Sequence, residues 1–156
     1  MRANFYRTHT CGELRTEHAE TSARLSGWIH TVRDHRGVVF LSLRDHYGQT
    51  QVVFDDEHPE ARDLARHLHH ETVVRIEGEV RPRPEGTENQ ALATGAVEVH
   101  ARSIDVLSTA ELLPFQVARD DGVHEDLRLT YRFLDLRRER MQRNLKMRAR
   151  VVSFIR

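Results

Sequence analysis

Residues 25–55, LSGWIHTVRDHRGVVFLSLRDHYGQTQVVFD, decide the fold. With the three residues before them they hold three apolar-rich runs, 22–33, 38–45 and 49–54, separated by His35-Arg36-Gly37 and His46-Tyr47-Gly48. Polar, glycine-containing triplets between runs rich in Val, Ile and Phe punctuate hairpins, so the stretch reads as a three-stranded meander. In the second run Val39, Leu41 and Leu43 alternate with Phe40, Ser42 and Arg44, the period of a half-buried strand. That phase turns Phe40 away from the core.

Downstream, residues 58–68 (HPEARDLARHL) place Pro59 in a first helical turn and Ala61, Leu64, Ala65 and Leu68 on one face. Two more strands follow at 72–83 and 96–107, joined by the loop 84–90 and a turn at Thr94-Gly95. Val74, Ile76 and Val80 form the inner face of the first, Val97 and Val99 that of the second, so Glu98 points outward. Three strands, one helix and two strands is the order of the OB-fold, a mainly β, five-stranded barrel that often binds single-stranded nucleic acid. A sandwich fragment could use the same strands; the lone helix after the third favours the barrel. The expected division is a barrel over 1–107, a linker over 108–130 containing Pro114 and Asp120-Asp121-Gly122, and an Arg-rich helical segment over 131–156.

At 156 residues the chain fits one domain with a short attachment. Its only cysteine, Cys11, excludes a disulfide framework and a Cys-based zinc site. No window has the length and apolarity of a signal peptide or membrane span, and a reducing cytoplasm is the expectation. The formal charge of zero conceals an asymmetry: residues 131–156 hold nine basic and two acidic side chains, a net of +7 against −7 for the remainder. Such polarity suits a nucleic-acid contact. Equally, Lys146 is the only lysine among 24 basic residues, which a GC-rich coding bias explains without function. His67, His69 and His70 straddle a helix end beside solvent, where interaction with the helix dipole fits better than a metal site. The linker carboxylates Asp120, Asp121, Glu125 and Asp126 have no partner in the sequence that would make them an acid/base pair.

Four strings, THTCGEL from Thr8, the opening stretch, ATGAVEV from Ala93 and LTYRFLDLRR from Leu129, together resemble bacterial aspartyl-tRNA synthetases over essentially the whole chain. SGWIH and RD-x-x-G alone would also suit the related asparaginyl and lysyl enzymes. The resemblance implies an OB-fold that grips an anticodon loop on its outer face. It assigns Phe40 to stacking on the middle uridine, Gln51 to that base's edge, Arg33 to the third base or its phosphate, and Glu98 to the guanine at the first position. Arg81 and Arg83, outward on the fourth strand, are backbone or base contacts. His35 and Gly86 resemble the relaxed type that also charges the asparagine tRNA, where strict bacterial enzymes tend to carry Leu and Lys. The partners implied are tRNA(Asp) and, for the relaxed type, tRNA(Asn).

The same resemblance makes 131–156 the opening of a truncated class II catalytic domain. ATP and Mg2+ would serve the full-length homodimeric ligase. The chain itself is expected to carry no catalytic residue, metal or cofactor and to be monomeric or weakly associating. A stand-alone module binding single-stranded nucleic acid is the competing expectation.

Overall fold

The computed structural model describes residues 4–118 and 122–156. Five strands, β1 (Ser22–His35), β2 (Val38–Arg44), β3 (Gln49–Phe54), β4 (Val73–Pro82) and β5 (Val97–Ser108), surround one helix, α1 (Pro59–Arg66), inserted between β3 and β4. They are hydrogen-bonded in the closed order β1-β2-β3-β5-β4, with β3 and β5 parallel and every other pair antiparallel. This is the OB-fold element order, with strand limits within two residues of those expected.

Alternation builds the core. Leu25, Ile29, Val39, Leu41, Leu43, Val52, Phe54, Val74, Ile76, Val80, Val97 and Val99 all point inward and are fully buried. Cys11 and Leu14, from the chain ahead of β1, join them, and burial pushes the Cys11 thiol pKa up. Two expectations need correction. Leu64, expected on the buried face of α1, is 42% exposed. With eight residues the helix has a narrow seam, and Ala61, Ala65 and Leu68 fill it. Arg44 continues the outward phase of Phe40 and Ser42 yet is only 8% exposed. Its cross-strand partner Trp28 shares that face, the guanidinium lies 5.5 Å from the indole centroid, and Glu71 pairs with it.

The chain divides into two compact units, Met1–Glu111 and Leu112–Arg156. The second contains α2 (Glu125–Thr130), α3 (Arg132–Asp135) and α4 (Glu139–Ile155). Phe115 and Val117, in the stretch expected as a linker, are buried with Leu134 in a small cluster. Asp120 and Asp121 lie outside the described residues, while Glu125 and Asp126 occupy the first turn of α2. Among the described residues no group of three or more His, Cys, Asp and Glu could hold a metal, and no helix is long and apolar enough to cross a membrane. Of the three clustered histidines, His70 bonds through Nδ1 to the His30 carbonyl at 2.7 Å.

Candidate nucleic-acid interface

Residues directly opposed across antiparallel strands share a face of the sheet. Register therefore assembles the outer face from the alternate positions left over by the core. Arg33 opposes Phe40, Ser42 opposes Gln51, Arg81 opposes Glu98 and Glu79 opposes His100. The parallel pairing of Val52 with Val99 then brings the third strand's outer residue against the fifth's. Gln51 Nε2 donates to Glu98 Oε2 at 2.8 Å. All six expected contact residues, Arg33, Phe40, Gln51, Arg81, Arg83 and Glu98, lie on these strands or at their ends, and register brings five of them into neighbouring outer positions. Arg83, just past β4, joins through its guanidinium: Nε donates to the Val97 carbonyl at 3.2 Å, and its backbone N–H to the Ala96 carbonyl at 3.0 Å.

Glu98 does not stand on a solvated face as the alternation alone suggests. It is 6% exposed because neighbours on both sides close over it. Besides Gln51, His100 Nε2 lies 3.1 Å from Glu98 Oε1, while His100 Nδ1 lies 3.2 Å from Asp55 Oδ2. Arg81 Nη2 donates to Glu79 Oε2 at 3.1 Å, and its Nη1 lies 3.3 Å from His100 Nδ1. Phe40 is half-buried and outside the apolar core; Arg33 is exposed.

Electrostatics follow from this crowding. The Glu98 carboxylate bonded to His100 raises the histidine pKa above its ordinary value; burial opposes the rise, Asp55 adds to it and Arg81 works against it. Burial lowers the Arg83 pKa, Glu98 opposes that shift, and Arg33 reinforces it. The result is a buried carboxylate with an amide and an imidazole, rimmed by three guanidiniums. Guanidiniums suit phosphate. A carboxylate repels phosphate but accepts hydrogen bonds from base N–H donors, so the mixture favours base reading over pure backbone binding.

His100 and Asp55 are the members of this cluster that the sequence reading missed. The signal for His100 was present, since two residues after an outward Glu98 the strand faces outward again. Gly78 shows how tightly β4 holds it: a Cβ there would sit 2.3 Å from the His100 carbonyl oxygen. The two expected specificity positions stand apart from the cluster's hydrogen bonds. His35 is exposed at the end of β1, and Gly86 lies in an exposed loop at φ +79° with nothing within 4 Å of an added Cβ. A side chain there has room, but the backbone conformation favours glycine.

Comparison with known proteins agrees with the fold that carries this face. The chain is 54% identical over 151 residues to a Rhodopseudomonas palustris protein named aspartate–tRNA(Asp/Asn) ligase, a match covering 97% of this chain and 25% of that one. It thus spans about a quarter of the length of the curated relatives it matches. Among solved structures, the aspartyl-tRNA synthetase of Entamoeba histolytica superposes with a TM-score of 0.77 at 22% identity, over 86% of this chain and 33% of that one. The asparaginyl-tRNA synthetase of Pyrococcus horikoshii, 27% identical, gives 0.70 over 83% and 28%. Residues 23–107, more than half of the chain and the whole run from β1 to nearly the end of β5, match the family described as OB-fold nucleic acid binding domain, and the chain belongs to that family.

Proposed function

We propose that the outer barrel face reads a tRNA anticodon and that the chain is the anticodon-recognition part of an aspartate–tRNA ligase. The observation that carries this reading is the Gln51–Glu98 pair, set among Arg33, Arg81 and Arg83 with Phe40 on the same face. Phe40 stacks on the middle uridine and Gln51 meets that base's edge. Arg33 serves the third base or its phosphate, Glu98 accepts from a guanine at the first position, and Arg81 and Arg83 contact backbone or base. In this reading 1–107 is the recognition domain, 108–130 the linker and 131–156 the start of a class II catalytic domain. The longer ligase, a cytoplasmic homodimer, would use ATP and Mg2+ to activate aspartate and transfer it to tRNA; recognition alone falls to this chain.

Phe40→Ala is the direct test. Loss of one stacked base contact weakens binding of an aspartate anticodon stem-loop by roughly 1–3 kcal/mol. The fold survives, because Phe40 lies outside the fully buried core. Titration of the wild type against stem-loops varied at the middle base should show strong dependence on uridine. Equal affinity for unrelated single strands would replace the proposal with a general single-strand binder.

The relaxed specificity carried by the names of the relatives has a physical counterpart at His35 and Gly86. Neither an exposed imidazole nor a glycine supplies a fixed cation beside the loop. Aspartate and asparagine stem-loops, which differ at the third anticodon base, should bind with comparable affinity. Gly86→Lys, which has room but costs about 1 kcal/mol in a left-handed conformation, should shift the ratio toward the aspartate loop. A strong wild-type preference for that loop would end the relaxed reading.

A further inference from the structure

His100 is positioned by the sheet rather than by a loop, and both its ring nitrogens meet carboxylate oxygens, Glu98 Oε1 at 3.1 Å and Asp55 Oδ2 at 3.2 Å. Each carboxylate oxygen accepts two hydrogen bonds. Gln51 donates to Glu98 Oε2 and His100 bonds to Oε1, so each oxygen keeps capacity for a further donor. The two oxygens of one carboxylate can accept from two neighbouring N–H donors, the pattern of guanine N1–H and N2–H2. We propose that His100 is a positioning residue for base recognition: with Gln51 it fixes the Glu98 carboxylate for a two-donor base edge, and its own proton couples RNA binding to pH. The inference rests on the anticodon reading given above.

Only the imidazolium donates to both carboxylates at once. The charged groups around it are Glu98 and Arg102 on β5, Glu79 and Arg81 on β4, and Asp55 and Glu57 following β3. When the proton is lost, a ring that keeps its N–H on Nε2 still holds Glu98. Nδ1 then accepts from Arg81 Nη1, 3.3 Å away, and Asp55 is released. Orientation of Glu98 thus survives deprotonation, but the cluster becomes more negative by one charge facing the phosphates of an RNA ligand. Because Glu98 and Asp55 raise the His100 pKa, the proton persists to higher pH than in an ordinary histidine and leaves as pH rises through that value.

The two functions separate in two variants. In the 156-residue chain, His100→Leu removes donor and proton together. Its preference for a stem-loop with guanine over adenine at the first anticodon position should fall by about tenfold, the worth of one charge-assisted hydrogen bond, with dependence on the middle uridine intact. His100→Gln keeps an N–H for Glu98 but cannot titrate. It should retain the guanine preference and lose the decline of affinity with rising pH seen in the wild type. Full guanine preference in His100→Leu, or a wild-type pH profile in His100→Gln, overturns the inference. Absence of uridine dependence in the wild type overturns the anticodon reading itself, and this inference with it.

Discussion

Glu71→Ala lowers the unfolding free energy of the chain by about 3–5 kcal/mol, the usual cost of leaving one partner of a buried ion pair without the other. Glu71 is 5% exposed and its carboxylate is bonded to Nη2 of the buried Arg44. Beside them the Glu71 N–H donates to the Ile29 carbonyl at 2.8 Å and the Ile29 N–H to the Thr72 carbonyl at 3.0 Å, which ties the start of β4 to β1. Without the carboxylate the guanidinium against Trp28 loses its one ion-pair partner among the described residues, where Arg44 Nε already lacks a hydrogen-bond partner. The size of the effect separates it from surface pairs. Arg24–Glu77 and Arg75–Asp105 are partly solvated, and Glu77→Ala should cost less than about 1 kcal/mol. Backbone conformation provides a control. Glu71 sits at φ +67°, so Glu71→Gly relieves about 1 kcal/mol that Glu71→Ala retains, and should be the milder change. Combined with Arg44→Met, either variant should cost less than the sum of the single changes. Urea denaturation of the set decides it: a Glu71→Ala cost below about 1 kcal/mol, or strict additivity, would show that the pair is already hydrated.

The fold was legible because its strands are half-buried. Val39, Leu41 and Leu43 against Phe40 and Ser42 carry both the strand assignment and its orientation, and the same rule applied to β4 and β5 located the core. What alternation could not express was lateral cover. Arg44 and Glu98 have the phase expected of them, yet both are covered from the side, Arg44 by Trp28 and Glu71, Glu98 by Gln51 on another strand and by His100 two residues along its own. Periodicity reports which side of a strand a residue faces, not what lies on that side. The interface was readable in the same degree. Phase and resemblance selected Arg33, Phe40, Gln51, Arg81, Arg83 and Glu98, whereas the Asp55–His100 and Gln51–Glu98 bonds depend on the parallel β3–β5 register, which no local pattern encodes.

Among the described residues of the second unit one buried carboxylate gathers three arginines, and Asp135→Ala should weaken the unit. Asp135 is fully buried, and three guanidiniums converge on it: Arg132 Nη1 at 2.6 Å, Arg128 Nε at 3.0 Å and Arg138 Nε at 3.9 Å. These arginines come from α2, α3 and the turn before α4, so one side chain joins two helices too short to be stable alone to the start of a longer one. Around it the apolar cluster is small, Phe115, Val117 and Leu134, with Arg138 stacked 5.0 Å from the Phe115 ring centroid. Removing the carboxylate leaves like charges facing one another. Arg132 and Arg128 retain access to water, whereas the Arg138 side chain is almost entirely buried against Phe115. The cost falls near the lower end of the range for a broken buried pair, about 3 kcal/mol, which a cluster of this size cannot absorb. Asp135→Asn, which preserves shape and one acceptor but not charge, should be only partly better. Hydrogen exchange at the amides of residues 134–138 is the measurement, because their carbonyl partners lie within the same turns. Protection at those amides should be lost in Asp135→Ala and reduced in Asp135→Asn; wild-type protection in both would mean that Phe115, Val117 and Leu134 alone hold the unit.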